Sequence, residues 1–320
     1  MSKVVVISGH PDLEQSYTNT VILQQLEASK LDVEVRRLDS LYPDYHIDVA
    51  AEQRALMAAD VIVLQFPLYW YSTPALLKKW LDDVFAYNFA YGAEGDKLKG
   101  KDFFLSLTVG GPEESYDPLG YNHFTVEQML HPLQQTAYLA GMNYRAPIYT
   151  NRMVFIPGVY NTQADVEERA RDHATRLMSA IRKVVESPEA IIKKFVAAWF
   201  AEFDQLPAES EFFTQSLASD VQWVTPEGEF AGHEGFRDWY NIAKATFKPG
   251  CDHHVEQITV NPKGAGFEVQ LRIRLIAETQ SASEFKGAPV NMLVNETWQV
   301  QIEAGRVEIQ TYHVEPVTAS

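Results

Sequence analysis

The sequence contains a single cysteine, Cys251, among its 320 residues. An intramolecular disulfide and a zinc site built from cysteines are therefore excluded. Redox chemistry in such a chain would depend on a bound cofactor, because no pair of thiols is present.

Long apolar runs and an excess of positive charge are also missing. No stretch reaches the about eighteen consecutive apolar residues that a membrane-spanning helix requires, and the first residues lack the apolar run of a signal peptide. The formal net charge of −16 argues against partners such as nucleic acid or anionic membranes. We therefore expect a cytoplasmic protein that does not insert into membranes.

In the N-terminal part, short apolar runs alternate with segments of helical periodicity. This alternation is typical of an α/β fold with a doubly wound, parallel sheet. We predict five strands, with a long helix over Ala164–Glu186 closing the unit. The first four strands are Val4–Ser8, Val33–Leu38, Val61–Phe66 and Phe103–Thr108, and the fifth lies between Ile148 and Ile156.

A boundary between domains is predicted at Ser187-Pro188, because the residue before proline disfavours helix and proline suits the first turn of the next one. Residues 1–186 then form the first domain and residues 187–320 the second. In the second, one or two helices precede a run of strand-like alternation, which indicates a separate α+β domain.

Ligands of open α/β sheets bind outside the carboxyl ends of the strands, so three loops are candidates for a binding site. The first places hydroxyls and an amide at a helix N-terminus, which suits either a phosphate or simple helix capping. The second is rich in aromatic residues, which either sandwich a flat heterocycle or serve a dimer contact or the core. The third has paired glycines, for close approach to a ligand or for a tight turn. The candidates are His10, Ser16, Tyr17, Thr18 and Asn19; Pro67, Leu68, Tyr69, Trp70 and Tyr71; and Thr108, Val109, Gly110 and Gly111.

Three segments of the first 160 residues or so resemble the NAD(P)H quinone reductases of flavodoxin-like fold. They are SGHPDLEQSYTN, FPLYWYSTPALLKKWLDDVFAYNFAYG, and LSLTVGG followed by GYNHFTVEQMLHPLQQTAYLAGM. That family includes the ancillary reductases of bacterial glutathione-gated potassium efflux systems. The resemblance implies a bound flavin, FMN or FAD, with NAD(P)H as electron donor and a quinone or related electrophile as acceptor.

By the same resemblance, the first loop would hold the flavin phosphate and ribityl chain. Pro67 to Tyr71 would lie along the isoalloxazine ring, and Thr108 to Gly111 would contact its pyrimidine edge. Tyr116 and His123 match the tyrosine and histidine that flank the ring, although the segment between them is one residue longer than in the mammalian pattern. As catalytic residues they would stabilise the reduced flavin or supply protons, whereas His123 could equally be a surface or helix-capping residue.

The resemblance also implies a homodimer and ping-pong kinetics, since both substrates would use one face of the ring. An alternative function is a redox-sensing ancillary subunit that docks on a membrane transporter such as a potassium efflux system. Turnover with NADPH and a model quinone separates the two functions, because a pure binding module would hold the flavin but reoxidise it only slowly.

The second domain resembles the SnoaL-like branch of the nuclear transport factor 2 (NTF2-like) fold, a cone of curved sheet and helices. The segment VTPEGEFAGHEGFRDWY and the long terminal strands carry the resemblance. Such cones include isomerases, cyclases and binding or dimerisation modules, so the fold names no function.

Strand alternation in this domain points to a pocket. It places Glu296 and His313 on core-facing positions, where an acid or an imidazole is costly unless it is paired or faces a cavity. We expect Glu296 and His313, together with His254, either to line a pocket or to be paired or exposed at strand ends. The adjacent Asp252-His253-His254 could suggest a metal, but neighbouring side chains of a strand point apart, so no metal site is predicted.

Overall fold

The computed structural model describes residues 2–317. The chain divides into two compact units, Met1–Val184 and Val185–Ser320. Within the described part of the chain, no helix is long and apolar enough to cross a membrane.

A parallel sheet forms the centre of the first unit. Its strands run in the order β2-β1-β3-β4-β5, and a sixth strand, β6, also pairs with β4. Every pairing is parallel. The strands are β1 (Lys3–Ser8), β2 (Asp32–Arg37), β3 (Val61–Pro67), β4 (Asp102–Thr108), β5 (Asn143–Tyr144) and β6 (Ile148–Thr150).

The sheet therefore has six strands rather than the five that we predicted. The fifth position is shared by β5 and β6, two short strands that flank Pro147. Proline has no N–H to donate to the neighbouring strand, which explains why the ladder is interrupted there.

Six helices cover this sheet. α5 begins with a capping box in which Thr125 and Gln128 satisfy each other's backbone N–H groups. The apolar face of α6 is fully buried at Val166, Ala170 and Leu177. The helices are α1 (Asn19–Glu27), α2 (Leu38–Leu41), α3 (Val49–Ala58), α4 (Ala75–Val84), α5 (Val126–Leu139) and α6 (Gln163–Val185).

The second unit is an α+β structure with a mixed six-stranded sheet. The strand order is β8-β7-β12-β11-β10-β9, and only the β12–β7 pairing is parallel among the described pairs. Its elements are α7 (Pro188–Phe203), α8 (Glu211–Thr214), β7 (Leu217–Thr225), β8 (Gly228–Ala231), α9 (Gly232–Thr246), β9 (Asp252–Lys263), β10 (Gly266–Ala277), β11 (Val290–Glu303) and β12 (Arg306–Pro316).

Aromatic side chains dominate the core of this unit. Trp199, Trp223 and Trp298 are all fully buried. The ring of Tyr312 stacks on Trp223 with centroids 3.7 Å apart and on Trp298 at 5.0 Å. Rings of this size bury a large apolar area each, so they account for much of the stability of the unit.

Two β-bulges change which residues of the second sheet face its core. One lies opposite Arg272 and Ile273 in the β9–β10 pair, and the other opposite Gln299 and Val300 in the β11–β12 pair. An extra residue in one strand shifts the alternation of its side chains by one position. The bulges therefore determine the orientation of the histidines in β9 and β12.

Candidate functional site in the first unit

A cavity of about 290 Å³ opens at the carboxyl edge of the parallel sheet. The loops after β1, β3 and β4 meet there with the segment that follows β6. Its volume is close to the lower end of the range for small-molecule sites. The lining residues are His10, Gln15, Ser16, Tyr17, Thr18, Asn19, Pro67, Leu68, Tyr69, Thr108, Gly110, Met153, Val154 and Phe155.

The backbone N–H groups at the N-terminus of α1 are only partly capped by nearby side chains. Ser16 Oγ accepts the backbone N–H of Asn19 at 3.0 Å, while Thr18, the N-cap residue, makes no side-chain capping bond. One backbone amide is thus capped, and the remaining end of the helix faces the cavity. The helix dipole favours an anion at that position.

His10 is a buried, neutral hydrogen-bond donor. Its Nδ1 accepts the backbone N–H of Asp12 at 3.1 Å, which leaves the proton on Nε2. Burial lowers the pKa of the imidazole below its ordinary value, against the opposing effect of Asp39 and Asp12. At neutral pH the ring is therefore uncharged.

A chain of buried hydrogen bonds runs across the sheet and ends at Asn19. Gln65 Nε2 donates to Asn19 Oδ1 at 2.9 Å, and Ser106 Oγ donates to Gln65 Oε1. Ser106 in turn accepts from Nε2 of His173 at 2.8 Å, because its own proton is used on Gln65. Thr150 Oγ1 completes the series 2.9 Å from Nδ1 of His173.

The direction of this chain sets the protons of the hydroxyls at the cavity. Thr18 Oγ1 lies 3.5 Å from Asn19 Nδ2. The two hydrogens of that amide are donated to the oxygen atoms of Ser16 and Thr108, both at 3.2 Å. Each hydroxyl oxygen thus acts as an acceptor towards Asn19. Their O–H hydrogens have no acceptor among the described residues and are free to donate to a ligand.

The aromatic loop after β3 is a tight hairpin. Tyr69 and Ser72 exchange two backbone hydrogen bonds of 3.0 Å. Trp70 and Tyr71 between them both have left-handed backbones, with φ of 47° and 63°. That conformation costs a non-glycine residue about 1–2 kcal/mol, and strain of this kind persists where function constrains the backbone.

Only the first part of this loop lines the cavity. Pro67, Leu68 and Tyr69 belong to its wall, whereas Trp70 and Tyr71 lie outside it. The Trp70 side chain is 92% exposed. The hairpin thus presents an aromatic residue to solvent without packing on the rest of the described chain.

The loop after β4 contributes through close backbone packing. A Cβ atom on Gly110 would lie 2.9 Å from Cγ2 of Val154, and one on Gly111 would lie 3.1 Å from the ring of Tyr116. Gly110 lines the cavity, but Gly111 does not. Val109 is completely buried and belongs to the core instead of the wall.

The two predicted catalytic residues lie apart from this wall. Tyr116 packs on the core of the unit and covers Gly111, and burial raises the pKa of its hydroxyl. His123 is an exposed residue with a left-handed backbone, φ 63°. Neither residue lines the cavity.

Four lining residues were not predicted: Gln15, Met153, Val154 and Phe155. The last three follow β6, and the Phe155 ring contacts Tyr17 edge-on with centroids 5.4 Å apart. Their position after a strand of the same sheet is the signal that could have identified them, since all carboxyl ends of parallel strands share one edge.

Of the three residues that we considered for a pocket in the second unit, one lines a cavity and two do not. Glu296 is buried and lines a separate cavity of about 110 Å³. His313 and His254 are exposed, because the bulges turn Tyr312 and His253 towards the core in their place. His253 and Tyr312 line that cavity with Glu296.

Comparison with known proteins identifies the first unit. Residues 2–177 match the family described as flavodoxin-like fold, which is more than half of the chain. The chain belongs to this flavodoxin-like family. The chain is 38% identical over 194 residues to an uncharacterized NAD(P)H oxidoreductase, YdeQ, of Bacillus subtilis (strain 168), and the match covers 61% of this chain and 93% of that protein.

Two further relatives carry more specific names. The glutathione-regulated potassium-efflux system ancillary protein KefF of Enterobacter sp. (strain 638) is 42% identical over 176 residues, 55% of this chain and 95% of that protein. General stress protein 14 of Treponema denticola, solved in complex with FMN, is 32% identical with a TM-score of 0.51, and covers 56% of this chain and 99% of its own.

Proposed function

We propose that this chain is a cytoplasmic, flavin-dependent oxidoreductase that transfers a hydride from NAD(P)H to quinones or related electrophiles. The flavin, FMN or FAD, would bind in the 290 Å³ cavity at the carboxyl edge of the first sheet. The names of YdeQ and KefF and the FMN bound to general stress protein 14 support this assignment for a chain that belongs to the same family.

The orientation of the hydroxyls of Ser16 and Thr108 is the observation that carries the proposal. The two amide hydrogens of Asn19 are donated to these two oxygens, so the hydroxyl protons are available for phosphate or ribityl oxygens of a flavin. Among the described residues, neither lysine nor arginine lines the cavity. An anion would therefore be held by hydroxyls, backbone N–H groups and the α1 dipole.

The flavin supplies the hydride chemistry, and the protein supplies binding and orientation. Tyr69 and the exposed Trp70 would lie along the ring, and the backbone at Gly110 would approach its edge. Tyr116 and His123 remain candidates for donors to the reduced ring. Because donor and acceptor would use the same face in turn, ping-pong kinetics follow.

The first experiment is a test for bound flavin. Purified protein is expected to absorb near ~450 nm, or to acquire that band after reconstitution with FMN or FAD. NADPH should bleach the band, and a soluble quinone should restore it within turnover times. A protein that binds neither flavin would contradict the proposal.

A pair of isosteric variants tests the phosphate-binding role. Thr18→Val removes a hydroxyl that lines the cavity, and we expect FMN to bind tenfold to a hundredfold more weakly, roughly the worth of a hydrogen bond to a charged group. Thr20→Val is the matched control, since its hydroxyl donates to Leu13 O and does not line this cavity. Equal losses in the two variants would count against the assigned role.

A second function is a redox-sensing subunit of a potassium efflux system, which the similarity to KefF favours. Such a protein would bind flavin but reoxidise slowly with quinones. The rate of multiple turnover with NADPH and quinone therefore decides between reductase and sensor.

We also propose that the protein is a homodimer through its exposed aromatic residues. Trp70 is 92% exposed and Tyr121 86%, which is unusual for such large side chains. Light scattering should give a dimer for the native chain, and Trp70→Ser should shift it towards monomer. A native chain that is monomeric at micromolar concentration would contradict this.

For the second unit we propose a SnoaL-like, NTF2-like cone as a separate domain over residues 187–320. Its helices, followed by a six-stranded sheet around an aromatic core and a cavity, support that assignment. Expression of residues 187–320 as a folded fragment would test whether the domain is autonomous.

A further inference from the structure

The cavity of the second unit has the size of a single aromatic ring. Its volume of about 110 Å³ is comparable with that of a cavity of roughly 150 Å³ that accommodates benzene. Most of its wall is apolar, with the side chains of Phe200, Phe203, Trp239, Leu275 and Val294 among those that line it. A wall of this kind selects a small, apolar molecule.

The polar groups in the wall are unusual for such an apolar site. Glu296 is 5% exposed, and its Oε2 accepts the indole N–H of Trp298 at 2.9 Å. Tyr312 lines the same cavity beside Glu296. Burial nevertheless raises the pKa of Glu296 to about 7, so the group is held in an unfavourable place for a charge.

His253 forms a second polar group beside Glu296. Its Nδ1 lies 2.6 Å from Oδ1 of Asp204, which also accepts the backbone N–H of His253 at 3.2 Å. The imidazole stacks on Phe200, with centroids 5.0 Å apart and planes inclined by 20°. Because Nδ1 faces Asp204, Nε2 is the ring nitrogen that is left for a ligand.

The cavity therefore offers acceptors but few free donors. The N–H of Trp298 is used on Glu296, whereas the carboxyl retains lone pairs and Nε2 of His253 has one. The hydroxyl of Thr225 lines the same cavity and has no partner among the described residues, so it is one free donor. A ligand with an O–H group both donates to these acceptors and accepts from Thr225, whereas an ether or a ketone only accepts. An anion would be repelled by Glu227, which also lines the cavity.

We propose that this cavity is a binding site for a small neutral phenol, whose ring lies among the aromatic side chains and whose hydroxyl donates to Glu296 or to His253. This cavity shares no lining residue with the proposed flavin site of the first unit, so each proposal can be tested independently of the other.

Titration of the full chain with phenol and with benzene, followed calorimetrically or by ligand NMR, tests the proposal. Ala243→Leu fills the cavity from α9, where Ala243 lines the wall. We expect both ligands to lose at least about tenfold in affinity in this variant. Glu296→Leu should weaken phenol binding by about tenfold, roughly the worth of one hydrogen bond, and leave benzene binding unchanged or tighter.

Glu315→Gln is the matched control. Glu315 is an exposed carboxylate on β12, the strand that pairs with the strand of Glu296, and it does not line the cavity. It should bind phenol as the native chain does. Thermal unfolding verifies that each variant is folded. If Glu296→Leu does not fold, the binding data for Ala243→Leu alone test the proposal. The same results are expected with and without FMN, so a failure to bind flavin leaves this test intact. Phenol affinity that is unchanged in Ala243→Leu, or lost equally for phenol and benzene in Glu296→Leu, would overturn the proposal.

Discussion

Ser106 Oγ lies 2.8 Å from Nε2 of His173, and both side chains are completely buried. The bond joins β4 to α6 and belongs to the chain of hydrogen bonds that ends at Asn19. Its geometry requires a neutral imidazole with the proton on Nε2, because Nδ1 accepts from Thr150.

The pH dependence of stability should reflect this neutral histidine. Burial, helped by Arg176, lowers the pKa of His173 from 6.5 to about 3. Between these values the unfolded chain binds a proton that the folded chain does not, so stability falls as the pH falls. His173→Gln should flatten the dependence of the free energy of unfolding on pH between 6.5 and 4, by on the order of 3 kcal/mol.

Urea unfolding at a series of pH values measures this slope. His131→Gln is the control, since His131 is exposed on α5 and should leave the slope unchanged. If His173→Gln retains the native slope, the buried histidine does not cause it.

A buried ion pair in the first unit predicts a large loss of stability. The carboxylate of Glu52 is completely buried, accepts from Nε of Arg36 at 2.8 Å and from Nε1 of Trp80 at 2.9 Å, and also binds Tyr42. Removing one partner of such a network leaves the others unsatisfied. Glu52→Ala should therefore cost about 3–5 kcal/mol of unfolding free energy.

The exposed i,i+4 pair of Lys78 and Asp82 provides the comparison. Asp82→Ala should change the unfolding free energy by less than about 1 kcal/mol, since solvent screens such pairs. Denaturant unfolding of both variants measures the difference. Similar costs would mean that the buried network contributes no more than a surface pair.

The contact between Gly110 and Val154 gives a test with a built-in rescue. A Cβ atom at position 110 would lie 2.9 Å from Cγ2 of Val154, in the wall of the 290 Å³ cavity of the first unit. Gly110→Ala should displace the segment after β6 and weaken FMN binding by about tenfold. The double variant with Val154→Ala removes the clashing methyl group and should recover most of the affinity, as measured by flavin fluorescence. A double variant as weak as the single one would refute this steric account.

The parts of the fold that depend on local pattern were predictable from sequence. β1 and β3 contain continuous runs of buried residues, and the apolar residues of α6 recur at helical spacing on one buried face. The strand-end loops followed from the parallel topology, and ten of the predicted residues line the cavity. The sequence could not show that Val109 belongs to the core and not to the cavity wall, because the direction of its side chain depends on the register at the end of β4.

Features that depend on a single inserted residue were not predictable. The alternation that suggested His313 is correct on one side of the β12 bulge and reversed on the other, and a bulge in β9 likewise leaves His254 exposed. Nothing in the local sequence of β9 or β12 marks the extra residue, since the bulge is fixed by pairing with distant strands. The Asp204–His253 pair was not predicted, because its two residues are 49 positions apart in the sequence and only the folded structure brings them together.

Glu296 should give the second unit a pH dependence opposite to that of His173. Burial raises its pKa from 4.5 to about 7, so the folded state retains a proton that the unfolded state loses. The stability that this proton contributes is present below pH 4.5 and is lost as the pH rises through 7. Glu296→Gln stays neutral, and its unfolding free energy should decline less between pH 5 and 8, by on the order of 2 kcal/mol. Denaturant unfolding followed by tryptophan fluorescence, which reports on Trp298 beside the carboxyl, measures this, with Glu315→Gln as control. A Glu296→Gln protein that loses as much stability over this range as the native chain would show that the carboxyl is already ionised when folded at pH 5.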